Sequence, residues 1–394
     1  MQNSMKASAS ILKTDEKNNN ICRYFGICGA CSLRDKAYQD QLTHKKNNLI
    51  TLFADSSLPD AKEIDITASP DIDYYRNKME FTFGVWDDSL ALGLHERNRY
   101  YHIIDLEECY MQSKYTMTVV DITRKWANAN NIDAYHKKRR TGILRHLVIK
   151  DTKHNEGLMV HLIAAKQIDV TKLVEELKLK APLKSFYFSI NKGFSDVAAA
   201  EETTHVYGDK LLTEKIADKT LSVGINSFFQ VNPRQVANLY KKSKEWIGKG
   251  EMLIDLYCGV GGFGIFLADN FEKVIGIELN DDAIRLAEYN SKQNKIKNIE
   301  FISGDSHKIL SEISLVQDVK ILVDPPRCGM DKGAIKRILD FMPETIIYVS
   351  CNPKSLVRDL AIFKEAYEIE RICAFDMFPH TEHVEVMVKL AGRG

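Results

Sequence analysis

The run Asp255-Leu-Tyr-Cys-Gly259-Val-Gly261-Gly262-Phe-Gly264 limits the fold of this chain more than any other feature. An apolar stretch from Met252 leads into it. Helix, strand and helix follow through residue 294, and Phe301–Ser303, Ile321–Val323 and Ile346–Val349 add further strand-like runs. Strands alternating with helices imply a doubly wound, mostly parallel sheet of the α/β class. Glycines at the first turn of such a sheet let a ligand approach the backbone closely. Gly259, Gly261 and Gly264 fit GxGxxG, a pattern that serves dinucleotides as well as other adenosine cofactors.

The rest of the chain divides by period. Residues 1–20 are polar and read as a disordered tail. Cys22, Cys28 and Cys31 follow, and Ser32 is placed to cap a helix reaching about Phe53. From about 78 to 206 short strand-like runs dominate (Met79–Phe83, Tyr100–Ile104, Leu144–Ile149, Leu158–Ile163 and Ser185–Ile190), with one helix near 114–129. That pattern predicts an α+β, largely antiparallel domain over 21–224, with the 33–53 helix free to pack on a catalytic domain over 225–394. Asn232-Pro233 opens the latter as N-cap and first helical residue. Tyr367–Phe375 and Val384–Leu390 read as its last two strands.

Charge and cysteine content bound the function. With 54 basic and 54 acidic residues the net charge is zero, which excludes a polycationic coat but not a local patch. Residues 131–150 hold Lys137, Lys138, Arg139, Arg140, Arg145 and Lys150 against Asp133 alone. No apolar run approaches the ~18 residues of a membrane span. A cytoplasmic monomer without membrane contact is expected, and eight cysteines there suggest metal or thiol chemistry over disulfides.

Several residues at predicted strand ends carry chemistry. Asp255 precedes the glycine turn, and Glu278 ends the next strand, where a carboxylate can bind both ribose hydroxyls. Asp305 after the third strand either meets an adenine or caps a helix. Asp324-Pro325-Pro326-Arg327 follows the fourth strand, its prolines fixing Asp324. Cys351 lies in Ser350-Cys-Asn352-Pro353 beyond the fifth, where a helix start can lower a thiol's pKa. A pyrimidine C5 is a poor nucleophile, so substitution there needs prior addition of a nucleophile, ideally a thiolate, at C6, and then a base to remove the C5 proton. Glu385 is the candidate base, with Glu382, His380 and His383 as rivals; the His-x-x-His-x-Glu run also permits a metal.

Ser227-Phe228-Phe229-Gln230-Val-Asn232-Pro233, the 255–264 turn, Asp324-Pro-Pro-Arg327, Ser350-Cys-Asn-Pro353 and Asp376-Met-Phe-Pro-His-Thr381 occur in that order. Together, over about residues 22–390, they resemble the RNA 5-methyluridine methyltransferase family. The resemblance implies a Rossmann-like domain that binds S-adenosylmethionine (SAM) rather than NAD. It makes Cys351 the nucleophile and Glu385 the base. It places Gln230, Tyr257, Glu278 and Asp324 at the SAM site beside Asp255, Gly259, Gly261 and Asp305, with Gln230 and Asp324 also near the uracil. By the same resemblance Cys22, Cys28, Cys31 and Cys109 hold a [4Fe–4S] cluster; spacing alone favours zinc. Only 21 residues precede Cys22, which resembles the short branch lacking an N-terminal OB-like domain. That leads to 23S ribosomal RNA as the expected substrate, with the T-loop of tRNA as the alternative. Cys328 keeps cytidine-C5 methylation open, and a non-catalytic Fe–S or zinc RNA-binding protein is the rival of another class. Flipping of the target base is implied; Phe228 or Phe229 could stack on it, and each reads equally well as a core residue.

Overall fold

The computed structural model describes residues 21–56, 58, 64–193, 202–313 and 318–393; the tail expected over 1–20 lies outside them. Helix α1 (Tyr38–Asp55) and the short strand β1 (Asp65–Thr67) come first. The helix begins later than Ser32. Ser32 and Leu33 direct their N–H groups to the His380 carbonyl at 2.9 and 3.0 Å, which holds that stretch away from helical geometry.

A seven-stranded sheet follows. Its elements are β2 (Lys78–Trp86), β3 (Ser89–Glu96), β4 (Arg99–Asp105), α2 (Thr116–Ala129), β5 (Leu144–Asp151), β6 (Leu158–Ala164), α3 (Thr171–Lys180), β7 (Leu183–Ile190) and β8 (Glu202–Gly208). The order is β4-β3-β2-β5-β6-β7-β8. All pairs are antiparallel except β6–β7, which α3 bridges as parallel neighbours require. Apolar residues of both helices, among them Val120 and Leu173, share one core with Phe81, Leu147, Leu162 and Phe186.

The remaining elements are the ribbon β9 (Leu212–Ile216) and β10 (Lys219–Val223), then α4 (Pro233–Ile247), β11 (Gly250–Leu256), α5 (Gly262–Leu267), β12 (Phe271–Glu278), α6 (Asp281–Gln293), β13 (Ile299–Ser303), α7 (Ser306–Leu310), β14 (Val319–Val323), α8 (Lys332–Phe341), β15 (Thr345–Ser350), α9 (Pro353–Phe363), β16 (Tyr367–Phe375) and β17 (Glu385–Gly392). Asn232 caps α4 by accepting the Gln235 N–H, with Pro233 at the first turn, as the sequence predicts. The sheet order is β1-β16-β17-β15-β14-β11-β12-β13. Strands run parallel apart from β17, which is antiparallel to both neighbours. One face packs on Phe53 of α1, Ile335 of α8 and Leu360 of α9. The other packs on Leu239 of α4 and Phe263 of α5.

The unit expected over 21–224 is divided. Helix α1 and strand β1 belong to the larger sheet, β1 pairing with β16. The β9–β10 ribbon, a separate two-stranded sheet, is tied to the same unit, because Asn290 of α6 and Asn294 just beyond it accept the Ser222 and Thr220 N–H groups at 2.7 and 2.9 Å. Three-residue β1 has no readable period, and its partner lies near the other end of the chain. No helix among the described residues is long and apolar enough to cross a membrane.

A buried ion pair secures α1. Lys45 Nζ lies 2.7 Å from Asp376 Oδ1, both side chains are fully buried, and the ammonium also donates to the Phe378 carbonyl. Removing one member of such a pair strands the other charge. Lys45→Ala is expected to cost about 3–5 kcal/mol, read as a fall in the urea midpoint; an unchanged midpoint would refute the role given to this pair.

Candidate active site

Sheet register gathers the predicted residues along one edge. Leu256 of β11 is level with Val323 of β14, which is level with Tyr348 of β15. Tyr257, Asp324 and Cys351 therefore leave the sheet from the carboxyl ends of adjacent strands, where open α/β sheets bind ligands. Reversal of β17 brings its first residue to the same edge. Ser350 pairs with Val386, so the next step of the register sets Cys351 opposite Glu385.

The glycine turn forms one end of this edge. Gly259 and Gly261 have φ of +52° and +83°, conformations that favour glycine, and Tyr257 takes φ +61° despite its side chain. A Cβ built on Gly259 would meet no atom within 4 Å, so the space above it is open to a ligand. Glu278 Oε2 accepts from the Gly259 N–H at 3.2 Å and its Oε1 from Asn280. Asp255 is buried; Oδ2 accepts the Gly264 N–H at 2.8 Å, while Oδ1 has no partner. Burial, with Asp324 and Glu278 adding repulsion, pushes its carboxyl up to about 8. An orphaned acceptor beside an uncovered glycine suits the ammonium and adenosine parts of SAM. Asp305 caps α7, its Oδ1 accepting from His307 and Lys308, so the helix-capping reading describes that oxygen.

The reactive residues lie at the centre of the edge. Asp324 Oδ2 accepts from Gln230 Nε2 at 2.9 Å, and burial pushes this acid up to about 7. Glu385 is wholly buried and neither of its oxygens has a hydrogen-bond partner. Burial and the nearby Asp324 raise its pKa well above the ordinary value, while Arg327 opposes them. Cys351 is half-buried. The expected lowering of its pKa is not found: burial, then Glu385 and Asp324, push the thiol up to about 11. The adjacent carboxyls outweigh the start of α9 and the hydrogen bond from Arg327. Burial therefore favours the neutral form of the Glu385 carboxyl.

Three contributors escaped sequence reasoning. Arg327, legible only as part of its motif, contacts the Cys351 sulfur and donates toward His383 at 3.0 Å. Asn77 holds the loop carrying Gln230, its N–H bonded to the Val231 carbonyl at 2.9 Å and its Nδ2 to the Gln230 carbonyl at 2.8 Å. Lys150 binds the Gly224 and Ser227 carbonyls at 2.7 and 3.0 Å, and burial pushes its ammonium down to about 7. No local pattern marks Asn77 or Lys150 for that work. Between them and the loop lies a cavity of about 390 Å³, whose lining includes Arg76, Phe228 and Phe229. Phe228 is 68% exposed at this cavity, whereas Phe229 packs on the core, which separates the two stacking candidates.

Other predicted features are redistributed. Of the six cations over 131–150, Arg145 and Lys150 are buried, Arg145 donating to the Asn191 and Gly193 carbonyls. His380 contacts Gln41 at 3.2 Å and Asp73 at 3.3 Å, and His383 faces Arg327. The rival base Glu382 bonds His44 at 2.8 Å. Cys328 is exposed beside the Pro-Pro turn, and Cys258 and Cys373 are buried. Cys22, Cys28, Cys31 and Cys109 line one small cavity with Arg34. Burial and mutual repulsion push Cys31 up to about 12 and Cys109 up to about 11. Among the described residues, no group of three or more His, Cys, Asp or Glu is drawn close enough to hold a single metal ion.

Comparison with known proteins agrees with this edge. A family model described as tRNA (uracil-5-)-methyltransferase matches residues 37–393. An uncharacterized RNA methyltransferase of Caldanaerobacter subterraneus subsp. tengcongensis is 35% identical, over 97% of this chain and 88% of its own. The tRNA (uracil(54)-C(5))-methyltransferase of Pyrococcus horikoshii is 34% identical, over 94% of this chain and 85% of its own. The crystal structure of Pyrococcus abyssi tRNA (uracil-54, C5)-methyltransferase with S-adenosyl-L-homocysteine is similar at a TM-score of 0.78 and 30% identity, covering 93% of this chain and 86% of that one. The NAD reading of the glycine turn and the non-catalytic reading fall with these matches. The chain belongs to the tRNA (uracil-5-)-methyltransferase family and is a SAM-dependent enzyme that methylates uracil C5 in RNA.

Proposed function

We propose that the enzyme methylates one uridine of a structured RNA through a covalent bond between Cys351 and C6 of the base. The observation that carries this reading is the buried, unpartnered Glu385 carboxyl in register with Cys351. The Cys351 thiol gives up its proton to solvent, its sulfur bonds to C6, and the ring electrons move to C5 and O4. Bound SAM supplies the methyl that C5 takes, leaving the homocysteine thioether. Glu385, as the carboxylate, then takes the C5 proton, the C5–C6 double bond re-forms, and the Cys351–C6 bond breaks to return the thiolate. Gln230 and Asp324, already bonded to each other, present an amide and a carboxyl to the uracil edge. Arg327 favours the sulfur anion at both ends of the sequence.

The RNA expected from the sequence is 23S ribosomal RNA. The Pyrococcus relatives, named for uracil-54 of tRNA, favour tRNA as a second reading. Transfer of labelled methyl to transcripts of each RNA separates the two. On the RNA that accepts methyl, Cys351→Ala is expected to reduce turnover to background, and Glu385→Gln to leave a protein–RNA adduct that survives a denaturing gel. Full activity of Cys351→Ala would overturn the covalent route.

Asp255, Asp324, Tyr257, Glu278, Gly259 and Gly261 form the proposed SAM site, with Asp305 beside it. Their raised acids fix a sign. Below about pH 7 a proton occupies Asp324, and below about 8 one occupies Asp255. A cationic ligand must displace these protons, so its affinity falls as pH falls, by at most about tenfold per unit for each acid. Calorimetric titration with SAM should show tighter binding at pH 8 than at pH 6, and Asp255→Asn should flatten the difference. Equal affinity at both pH values would remove the carboxyls from the site.

Cys22, Cys28, Cys31 and Cys109 are proposed to hold a [4Fe–4S] cluster. The four residues line one small cavity, which supports a shared group between them. Arg34 beside them offsets anionic charge. Because methyl transfer needs no electron, the cluster's role is to tie the segment before α1 to the smaller sheet. Iron and acid-labile sulfide are expected in anaerobically purified protein, and to be lost in Cys109→Ser. Stoichiometric zinc without sulfide would contradict the assignment.

A further inference from the structure

The basic run and the far edge of the smaller sheet meet. Strand β4 is that edge, and its first half is exposed. Tyr101 is 80% exposed and Tyr100 53%. Tyr100 stacks on His95 at 4.4 Å with planes 4° apart, and Tyr101 stands edge-on to Tyr100 at 5.7 Å. The turn over 136–141 folds back against this pair, setting Lys138 Nζ 5.8 Å from the Tyr101 ring centre. Lys137, Lys138, Arg139 and Arg140 are all exposed on it.

The backbone beneath these side chains is held. A bridge between His136 and Thr141 closes the turn, and the Arg140 N–H bonds to the His136 carbonyl at 2.7 Å. Gly142 takes φ +85°, and a Cβ there would lie 2.0 Å from the Ala134 oxygen. The turn of the β3–β4 hairpin is tied to the cysteine segment. Cys28 bridges Glu96, and the Arg97 N–H donates to the Ile27 carbonyl at 2.7 Å. On the hairpin itself Glu96 contacts Arg99 and His102, and Asp105 pairs with Arg124.

Four cations and a forward aromatic face on a fixed backbone suit an unpaired nucleotide and its flanking phosphates. Stacking takes any base, and phosphate contacts give affinity without sequence. We propose that the β3–β4 hairpin and the 136–141 turn form a docking platform for the RNA substrate. Tyr101 stacks on an unpaired base there, and Lys137, Lys138, Arg139 and Arg140 hold the phosphates beside it. None of these residues belongs to the catalytic edge, so the platform holds the RNA at a second place while the target uridine enters the site. This inference rests on the reading of the substrate as a structured RNA.

The test is RNA binding without SAM, by fluorescence anisotropy with labelled 23S-fragment and tRNA transcripts across a salt series. Tyr101→Ala should weaken binding about tenfold and Tyr101→Phe should restore it, as stacking requires. Lys138→Ala should reduce the slope of log affinity against log salt by about 0.7–0.9. Lys172→Ala, an exposed charge removed from α3, should leave both quantities unchanged. Wild-type affinity and slope in Tyr101→Ala and Lys138→Ala would overturn the platform. So would unchanged RNA binding accompanied by lost binding of a poly-glutamate probe, which would mark the patch as a protein surface. If the wild type methylated neither transcript, the uridine reading would fail instead, and the anisotropy series would still report on the platform.

Discussion

The reversal of one strand organises this enzyme's chemistry. In an all-parallel sheet, every residue that starts a strand lies at the edge opposite the ligand. Because β17 runs against its neighbours, Glu385 starts a strand and still lies at the edge where Cys351 leaves the end of β15. Placement on a paired strand also keeps Glu385 away from water. This carboxyl is buried on a strand paired to both β15 and β16, and no hydrogen-bond donor reaches either oxygen to stabilise a charge.

That loop needs support, and α1 provides it. Lys45 binds Asp376 and the Phe378 carbonyl, Gln41 binds the His380 ring and N–H, and Tyr75 donates to the Pro379 carbonyl. On the other side, Asn77 and Lys150 hold the 224–231 loop that presents Gln230. Both walls of the active edge are therefore set by segments far from it in sequence. The smaller sheet is part of the catalytic geometry, whatever else it does for RNA.

This division explains what the sequence made legible. Motifs that combine an unusual backbone with a chemical group were readable: the Gly259 turn, the Pro-Pro turn, and Asn352-Pro353, where Asn352 caps α9 and also donates to the Arg327 carbonyl. Each owes its residue types to local geometry. Asn77 and Lys150 owe theirs to partners about 150 and 75 positions away, so nothing nearby constrains or reveals them. Lys150 was misleading as well, since its place in a basic run suggests solvent and phosphate while the fold buries it. Apolar runs such as β5 and β6 were found; helix α3, beyond the one helix expected there, and β1 and the β9–β10 ribbon, short and dependent on tertiary partners, were not.

The Cys351 thiol shows why local sequence misjudges a reactive group. The start of α9 and Arg327 both favour the thiolate, and from the motif alone the thiol looks activated. Two carboxyls and partial burial act the other way and prevail. At a pKa of about 11 only about one thiol in ten thousand is ionised at pH 7. Burial and the two carboxyls thus keep the sulfur in its thiol form. Neither carboxyl stands near Cys351 in the chain, so the motif that suggests an activated thiol carries no trace of the groups that hold it back.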